Sequence, residues 1–181
     1  MVTDVGEAMD LLEVNIRANE EKFKSGSGVA ARRLRWGSEE DHAAIVPACR
    51  EFFSAAEGAE PFDLILAADC VYWESLHSPL SSCLHYLLTA APSSVCVIAG
   101  MRRWKRDTGF YAGLNKKGTG MRCRCVSETV EVVEDVNDVM DEGGGGGGGG
   151  GRGEGEGEEE RGRGEGGTRR EIMRMYAVSL S

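Results

Sequence analysis

A short apolar run that ends on a carboxylate constrains the fold of this chain more than any other feature. Residues 62–69 read FDLILAAD, and two aromatic residues, Tyr72 and Trp73, follow closely. A continuous apolar run of this length is typical of a strand that is buried on both faces of a parallel sheet. Open α/β sheets bind their ligands at the carboxyl ends of such strands, so Asp69 is a candidate functional residue. Its position alone fits equally well a residue that only ends the strand or caps the next helix.

Strands and helices are predicted to alternate over the first hundred residues. The strands are predicted to end at Asp4 and to cover residues 29–36, 62–69 and 94–100, and the helices to cover residues 7–21, 40–56 and 76–88. Pro47 is expected to interrupt the second helix, whereas Pro79 fits the third helix only in its first turn. This alternation indicates an α/β fold, doubly wound around a parallel sheet.

Two of these helices carry apolar residues at helical spacing. In the first helix the stripe is Ala8, Leu11, Leu12 and Ile16, and in the third it is Leu76, Leu80, Cys83, Leu84, Leu87 and Leu88. Each stripe forms one apolar face of its helix.

The character of the sequence changes after Gly100. A basic patch at 102–106 is expected to be either a solvated loop or a substrate-facing surface. A short helix at 109–114 and strands at 122–133 and 172–180 follow, and the two strands are predicted to form an antiparallel hairpin at one edge of the sheet. Between them, residues 143–167 hold 16 Gly, 6 Glu and 3 Arg. Such a stretch cannot bury enough apolar area to fold, so we expect a disordered insertion between a main domain at 1–142 and a final strand within 168–181.

Composition excludes several classes of function. The net charge of −9 argues against a general nucleic-acid binder, and no apolar run is long enough to span a bilayer. The six cysteines contain no CxxC pair and no secretion signal precedes them, so we expect reduced thiols in a monomer of the cytoplasm or the nucleus. A zinc site built on Cys123 and Cys125 has little support, and no metal is expected.

Three segments together resemble the family-16 protein lysine methyltransferases, a branch of the seven-strand enzymes that use S-adenosylmethionine. They are VTD at 2–4 ahead of LLEVNIRAN at 11–19, LRWG at 34–37, and ADCVYWESL at 68–76. The resemblance covers residues 1–100 well and the remainder only by its strand pattern. It implies a Rossmann-like sheet and the transfer of methyl groups from S-adenosylmethionine to a lysine of a protein. Within the family the chain is most like members whose substrate is an AAA-type ATPase or another chaperone.

The resemblance also implies roles for five residues. Asp4 matches the residue that accepts hydrogen bonds from the ribose of the cofactor, Trp36 the residue beside the adenine, and Ala68 a small residue that leaves the cofactor room. Asp69 and Tyr72 match the Asp-x-x-Tyr motif that contacts the target lysine. Trp73 is expected to pack in the core.

The chain departs from the family pattern at its start. The family places a first strand and a Gly-x-Gly loop ahead of the position of Asp4, and no Gly-x-Gly follows a strand here. We therefore expect a truncated sequence whose sheet lacks the strand between the one ending at Asp4 and the one at 62–69. Two hypotheses follow: a methyltransferase of which this chain carries the acceptor side, or a non-catalytic fragment or interaction module that cannot bind the cofactor.

Overall fold

Helices and strands alternate along the chain in the computed structural model, which describes residues 1–53, 58–101, 107–134 and 168–181. The elements are β1 (Val2–Asp4), α1 (Met9–Ala18), β2 (Ala31–Arg33), α2 (Glu39–Phe52), β3 (Leu64–Ala68), α3 (His77–Ala90), β4 (Val95–Met101), α4 (Asp107–Leu114), β5 (Met121–Glu134) and β6 (Thr168–Leu180). The basic patch at 102–106 and the glycine-rich stretch at 143–167 lie outside the described residues. No helix in the described ranges is both long enough and apolar enough to cross a membrane.

The strands form two separate sheets. β1 and β2 pair in parallel, and the second sheet has the order β3-β4-β6-β5. In that sheet β3 and β4 are parallel, whereas β6 runs antiparallel to both β4 and β5. The α/β class and the C-terminal antiparallel pair are thus confirmed, and no described strand joins β1 to β3.

The expectation that Pro47 interrupts the second helix is wrong, because α2 continues through it. The Ser38 side chain accepts a hydrogen bond from the N–H of Asp41 and so caps the start of the helix. Pro47 lies on the exposed side of α2, where water can solvate the carbonyl that proline leaves without a partner. Ile45 and Cys49 on the opposite side are buried and hold the helix in place.

The apolar stripe of α1 is only partly buried. No residue of α1 is buried, and Leu11 is 63% exposed. The physical reason is the small partner surface, because α1 packs mainly on β2 of the two-stranded sheet. A helical period predicts an apolar face but says nothing about how much of that face finds a partner.

Helix α3 lies at the centre of the core because it contributes to both apolar clusters. Leu80, Leu84 and Leu88 pack with the four-stranded sheet and α4. Cys83 and Leu87 pack in the second cluster with Ile45 and Cys49 of α2 and with Leu34, the residue that follows β2. Pro79 lies in the first turn of α3, as its restricted backbone requires. Two neighbouring faces of this helix therefore hold together the two parts of the molecule.

Candidate functional site

The carboxyl ends of β1, β2 and β3 bring the predicted site residues to one side of the molecule. Asp4 is the last residue of β1, Trp36 lies three residues beyond β2, and Asp69 directly follows β3. Burial raises the pKa of the Cys70 thiol, and the negative charges of Asp69 and Asp4 raise it further. The electrostatic effect of both carboxylates on one thiol indicates that Asp4 and Asp69 lie on the same side of the molecule, although β1 and β3 belong to different sheets.

Asp69 has an unusual backbone conformation. Its φ angle is 54°, and it is the only residue other than glycine with a positive φ among those described. Its N–H donates to the carbonyl of Ala99 at 2.7 Å, which extends the pairing of β3 with β4 by one residue. A β-carbon placed on Gly100 would lie 3.7 Å from Asp69 Oδ1, so Gly100 is a close neighbour of this exposed carboxylate. Conformations of this kind cost about 1–3 kcal/mol and cluster at functional sites.

Asp4 and Ala68, to which the resemblance gives roles at the cofactor, are both exposed residues at strand ends. Asp4 is exposed, and its Oδ1 accepts a hydrogen bond from the N–H of Val5 at 2.7 Å. Its backbone carbonyl accepts the N–H of Leu34 at 2.8 Å, which fixes the end of β1 against β2. Ala68 is exposed at the end of β3, where its methyl side chain occupies little space.

A buried aspartate that we did not predict holds the turn that carries Trp36. Asp41 is 3% exposed, and its Oδ2 accepts the N–H of Arg35 at 2.8 Å. Its Oδ1 accepts from Nε of Arg33 at 2.9 Å, and Nη2 of Arg33 lies 2.7 Å away. The hydrogen bond from the Arg35 N–H is the largest effect on the pKa of Asp41 and lowers it. Burial raises this pKa, and the hydrogen bond and charge of Arg33 lower it again, so that the pKa lies below its usual value. The spacing of Ser38 and Asp41, which resembles a capping box, was the available sequence signal.

The turn of Trp36 is also fixed from the side of α3. Gly37 has a φ of +79°, and a β-carbon there would lie 3.3 Å from Cβ of Pro79. The half-buried Trp36 packs against both apolar clusters. Because Trp36 is only half-buried, part of it stays accessible at the turn after β2.

Tyr72 and Trp73 form an aromatic pair beyond Asp69. Their ring centroids lie 5.5 Å apart at an interplanar angle of 63°. Tyr72 is half-buried, whereas Trp73 is 65% exposed. The expectation that Trp73 packs in the core is therefore wrong. Its position in the connection between β3 and α3 turns the indole outwards, where its only described ring partner is Tyr72.

A small cavity of about 10 Å³ adjoins Asp69 through Gly100. The residues that line it are Val71, Gly100, Met101, Asp107, Thr108, Tyr111, Arg174 and Tyr176. The rings of Tyr111 and Tyr176 stack at 3.6 Å, and Asp107 is 4% exposed. No sequence pattern indicated Asp107, Tyr111 and Tyr176, because these residues come from α4 and β6 and only the folded sheet brings them beside β3.

The described residues do not support the zinc site considered for Cys123 and Cys125. Among them, no three His, Cys, Asp or Glu side chains come together in an arrangement that could hold a metal ion.

Comparison with known proteins identifies the family. The family model described as lysine methyltransferase matches residues 1–117. The protein-lysine N-methyltransferase EFM6 of Saccharomyces cerevisiae is 34% identical over 113 residues, which are 61% of this chain and 41% of the relative. The protein N-lysine methyltransferase METTL21A of Mus musculus is 30% identical over 118 residues, which are 65% of this chain and 46% of the relative.

A third relative carries a different description. The secreted RxLR effector protein 48 of Plasmopara viticola is 33% identical over 139 residues, which are 72% of this chain and 66% of the relative. The chain thus spans 41%, 46% and 66% of the length of these three relatives.

Proposed function

This chain belongs to the lysine methyltransferase family, and on that premise we propose that it acts in the S-adenosylmethionine-dependent methylation of a lysine side chain of a protein. The observation that carries the proposal is the position of Asp69. It is a strained and exposed carboxylate at the carboxyl end of β3, and the carboxylate of Asp4 lies on the same side of the molecule. Strain that the surrounding structure maintains at such a position is expected where a charged group must keep a fixed direction.

Asp4, Trp36 and Ala68 have the chemistry needed to hold S-adenosylmethionine. The Oδ2 atom of Asp4 accepts no hydrogen bond from the described residues, so it is available to ribose hydroxyl groups. The indole of Trp36 supplies a flat apolar surface for adenine, and the small side chain of Ala68 leaves room for the cofactor. The bound cofactor supplies an electrophilic methyl group on a sulfonium, and these three residues position it without taking part in bond making.

Asp69 and Tyr72 have the chemistry needed to hold the target lysine. Methyl transfer requires a neutral amine, and deprotonating a free lysine with a pKa of about 10.4 costs roughly 4–5 kcal/mol at pH 7. The carboxylate of Asp69 binds and orients the lysine ammonium before that ammonium loses a proton. The charge of Asp69 by itself raises the pKa of the lysine. The faces of Tyr72 and the exposed Trp73 can contact a methylated ammonium, which is worth about 0.5–2 kcal/mol. Most of the rate is expected from alignment of the amine with the methyl group.

The substrate in this proposal is a protein, and an AAA-type ATPase or another chaperone is the specific candidate. Two relatives whose names describe protein lysine methylation support the protein class. The six cysteines are free thiols, which agrees with a reducing compartment such as the cytoplasm or the nucleus. We propose that the protein acts there as a monomer.

The test is transfer of tritium from S-adenosyl[methyl-³H]methionine to a library of lysine-containing peptides, with Asp69→Asn as the variant. Asparagine tolerates a positive φ nearly as well as aspartate, so the variant removes the charge and keeps the backbone. We expect labelling of lysine to fall about 100-fold, the size of effect seen when one group that stabilises charge is removed from an active site. Retained labelling in Asp69→Asn would remove Asp69 from the acceptor role. No labelled lysine with the unaltered chain would contradict the proposed activity.

A non-catalytic interaction module is the second candidate function. The unpaired edge of β3 favours it, because Leu64 and Leu66 are 54% and 72% exposed and no described strand lies between β3 and β1. In this alternative the chain does not bind the cofactor, so a measurement of S-adenosylmethionine binding distinguishes the module from the methyltransferase.

A further inference from the structure

An open groove lies between α3 and α4, outside the site described above. Its volume is about 790 Å³, which is large enough for several residues of a peptide. The wall formed by α3 carries His77, His85 and three serines, Ser78, Ser81 and Ser82. The wall formed by α4 includes Gly109 and Gly113, and a β-carbon at either glycine would meet no atom within 4 Å. Because glycines four residues apart share one face of a helix, a bound backbone can approach α4 closely.

One end of the groove adjoins the acceptor residues. Glu74, two residues after Tyr72, lines the groove, and so does His77. The His77 ring lies 5.2 Å from that of Phe110, which lies 5.3 Å from that of Tyr111 in the cavity beside Gly100. In our proposal a bound segment that places a lysine beside Asp69 and Tyr72 continues past Glu74 into this groove.

The other end of the groove lies away from the site. α3 follows β3, α4 follows β4, and these strands are parallel, so both helices begin at the carboxyl edge and run away from it. Lys116 lies two residues beyond the end of α4. Near it, a β-carbon on Gly120 would lie 3.5 Å from Nε2 of His85, which places the turn after Lys116 against the second half of α3.

The charges at the two ends have opposite sign. Histidines aside, only Glu74 and Lys116 carry a formal charge among the described residues that line the groove. The carboxylate is at the end near the site, and the ammonium is at the far end. A segment that is basic near the site and acidic at its other end matches this pattern.

We propose that this groove binds the segment of the substrate protein beside its target lysine and selects an acidic residue about four positions from that lysine. The proposal rests on the proposed function, because the site end of the groove adjoins the proposed acceptor residues. The spacing is that of a peptide that enters the groove at His77, directly beside its lysine, and reaches the second half of α3 at His85. His77 and His85 are eight residues apart, or about 12 Å along a helix. An extended peptide covers that distance in about four residues at about 3.3 Å each.

The test is the binding of fluorescent peptides to the full 181-residue chain, measured by fluorescence anisotropy. Each peptide has one central lysine in a glycine and serine background, with a single glutamate either four positions or one position away on either side. We expect glutamate at four positions on one side to tighten binding about threefold over the other placements, the effect of one exposed ion pair. Lys116→Glu should abolish this preference, and a peptide with lysine in place of the glutamate should then recover the affinity.

Lys24→Glu is the matched control, because it makes the same charge change at an exposed residue distant from the groove in the sequence. Equal affinity for all glutamate placements, no measurable peptide binding, or the same loss in Lys24→Glu would overturn the proposal. The readout does not depend on methyl transfer. Peptides that bind with the expected preference but are never methylated would contradict the proposed function and leave the groove proposal supported.

Discussion

Asp69 and Asp41 have different tasks at the scale of single residues. Asp69 is exposed and strained at the end of β3, where solvent reaches it. Asp41 is buried, and its two oxygens accept hydrogen bonds from the side chain of Arg33 and from the backbone N–H of Arg35. It therefore acts on the site indirectly, by fixing the turn in which Trp36 follows Arg35.

The Asp41 carboxylate should make stability depend on pH. Its pKa is lowered from 3.8 in the folded state, so its contribution is fully present above that value and is lost as the pH falls through the lower folded value. Asp41→Asn should reduce the free energy of unfolding by about 2 kcal/mol at pH 7, because charge-assisted hydrogen bonds to a buried group are lost. Urea unfolding at pH 7 and at pH 3 measures both quantities.

The control for this prediction is Asp10→Asn, on the exposed side of α1. We expect that variant to change stability by less than about 0.5 kcal/mol, as most surface substitutions do. A difference between Asp41→Asn and the unaltered chain that is as large at pH 3 as at pH 7 would show that the charge of Asp41 is not the cause.

At the scale of elements, α1 and α3 have similar apolar stripes and very different burial. Leu88 of α3 is 0% exposed, whereas Leu11 of α1 is 63% exposed. α3 touches both clusters, whereas α1 packs mainly on β2 within the described part of the chain.

Matched truncations in these two helices should separate buried from exposed stripe positions. We expect Leu88→Ala to cost about 2–5 kcal/mol, because it removes buried methyl groups and leaves a cavity. Leu11→Ala should cost less than about 0.5 kcal/mol. Thermal and urea unfolding followed by circular dichroism compares the two, and similar costs would contradict the assigned roles of the helices.

The sequence predicted the type and order of most elements because strand and helix periods are local properties. The resemblance to the family implied roles for Asp4, Trp36, Ala68, Asp69 and Tyr72, and these roles stay predictions. In the structure the five residues lie at, or up to four residues beyond, the ends of β1, β2 and β3. The sequence did not predict the contact of Asp41 with Arg35 or the exposure of Leu11 and Trp73. Those features depend on which surfaces meet in the folded chain, and no local pattern records that.

At the scale of the whole molecule, the separation of the two sheets is the dominant feature. Among the described strands β3 pairs only with β4, so its other edge is open, and Leu66 on its uncovered face is 72% exposed. An exposed apolar strand edge can pair with another chain, so it favours self-association as the concentration rises.

A charge on this edge should reduce that self-association. We expect Leu66→Lys to lower the associated fraction at high concentration without changing stability by more than about 0.5 kcal/mol, because lysine blocks edge pairing and the residue is already exposed. Light scattering over a concentration series measures the effect. Leu11→Lys, which places the same change on a helix, is the control, and an equal reduction in both variants would contradict an edge-specific cause.

We propose that the carboxyl ends of β1, β2 and β3 form a pocket for S-adenosylmethionine. Calorimetric titration of the cofactor into the full chain tests this most directly. We predict saturable binding at one site, weakened at least about tenfold by Asp4→Ala, because charge-assisted hydrogen bonds to the ribose are lost. Asp69→Asn should leave the affinity for S-adenosylmethionine nearly unchanged, since the proposed role of Asp69 is to bind the target lysine and not the cofactor. Absence of binding by a chain that circular dichroism shows to be folded, or binding that Asp4→Ala does not weaken, would contradict the claim and favour the non-catalytic module.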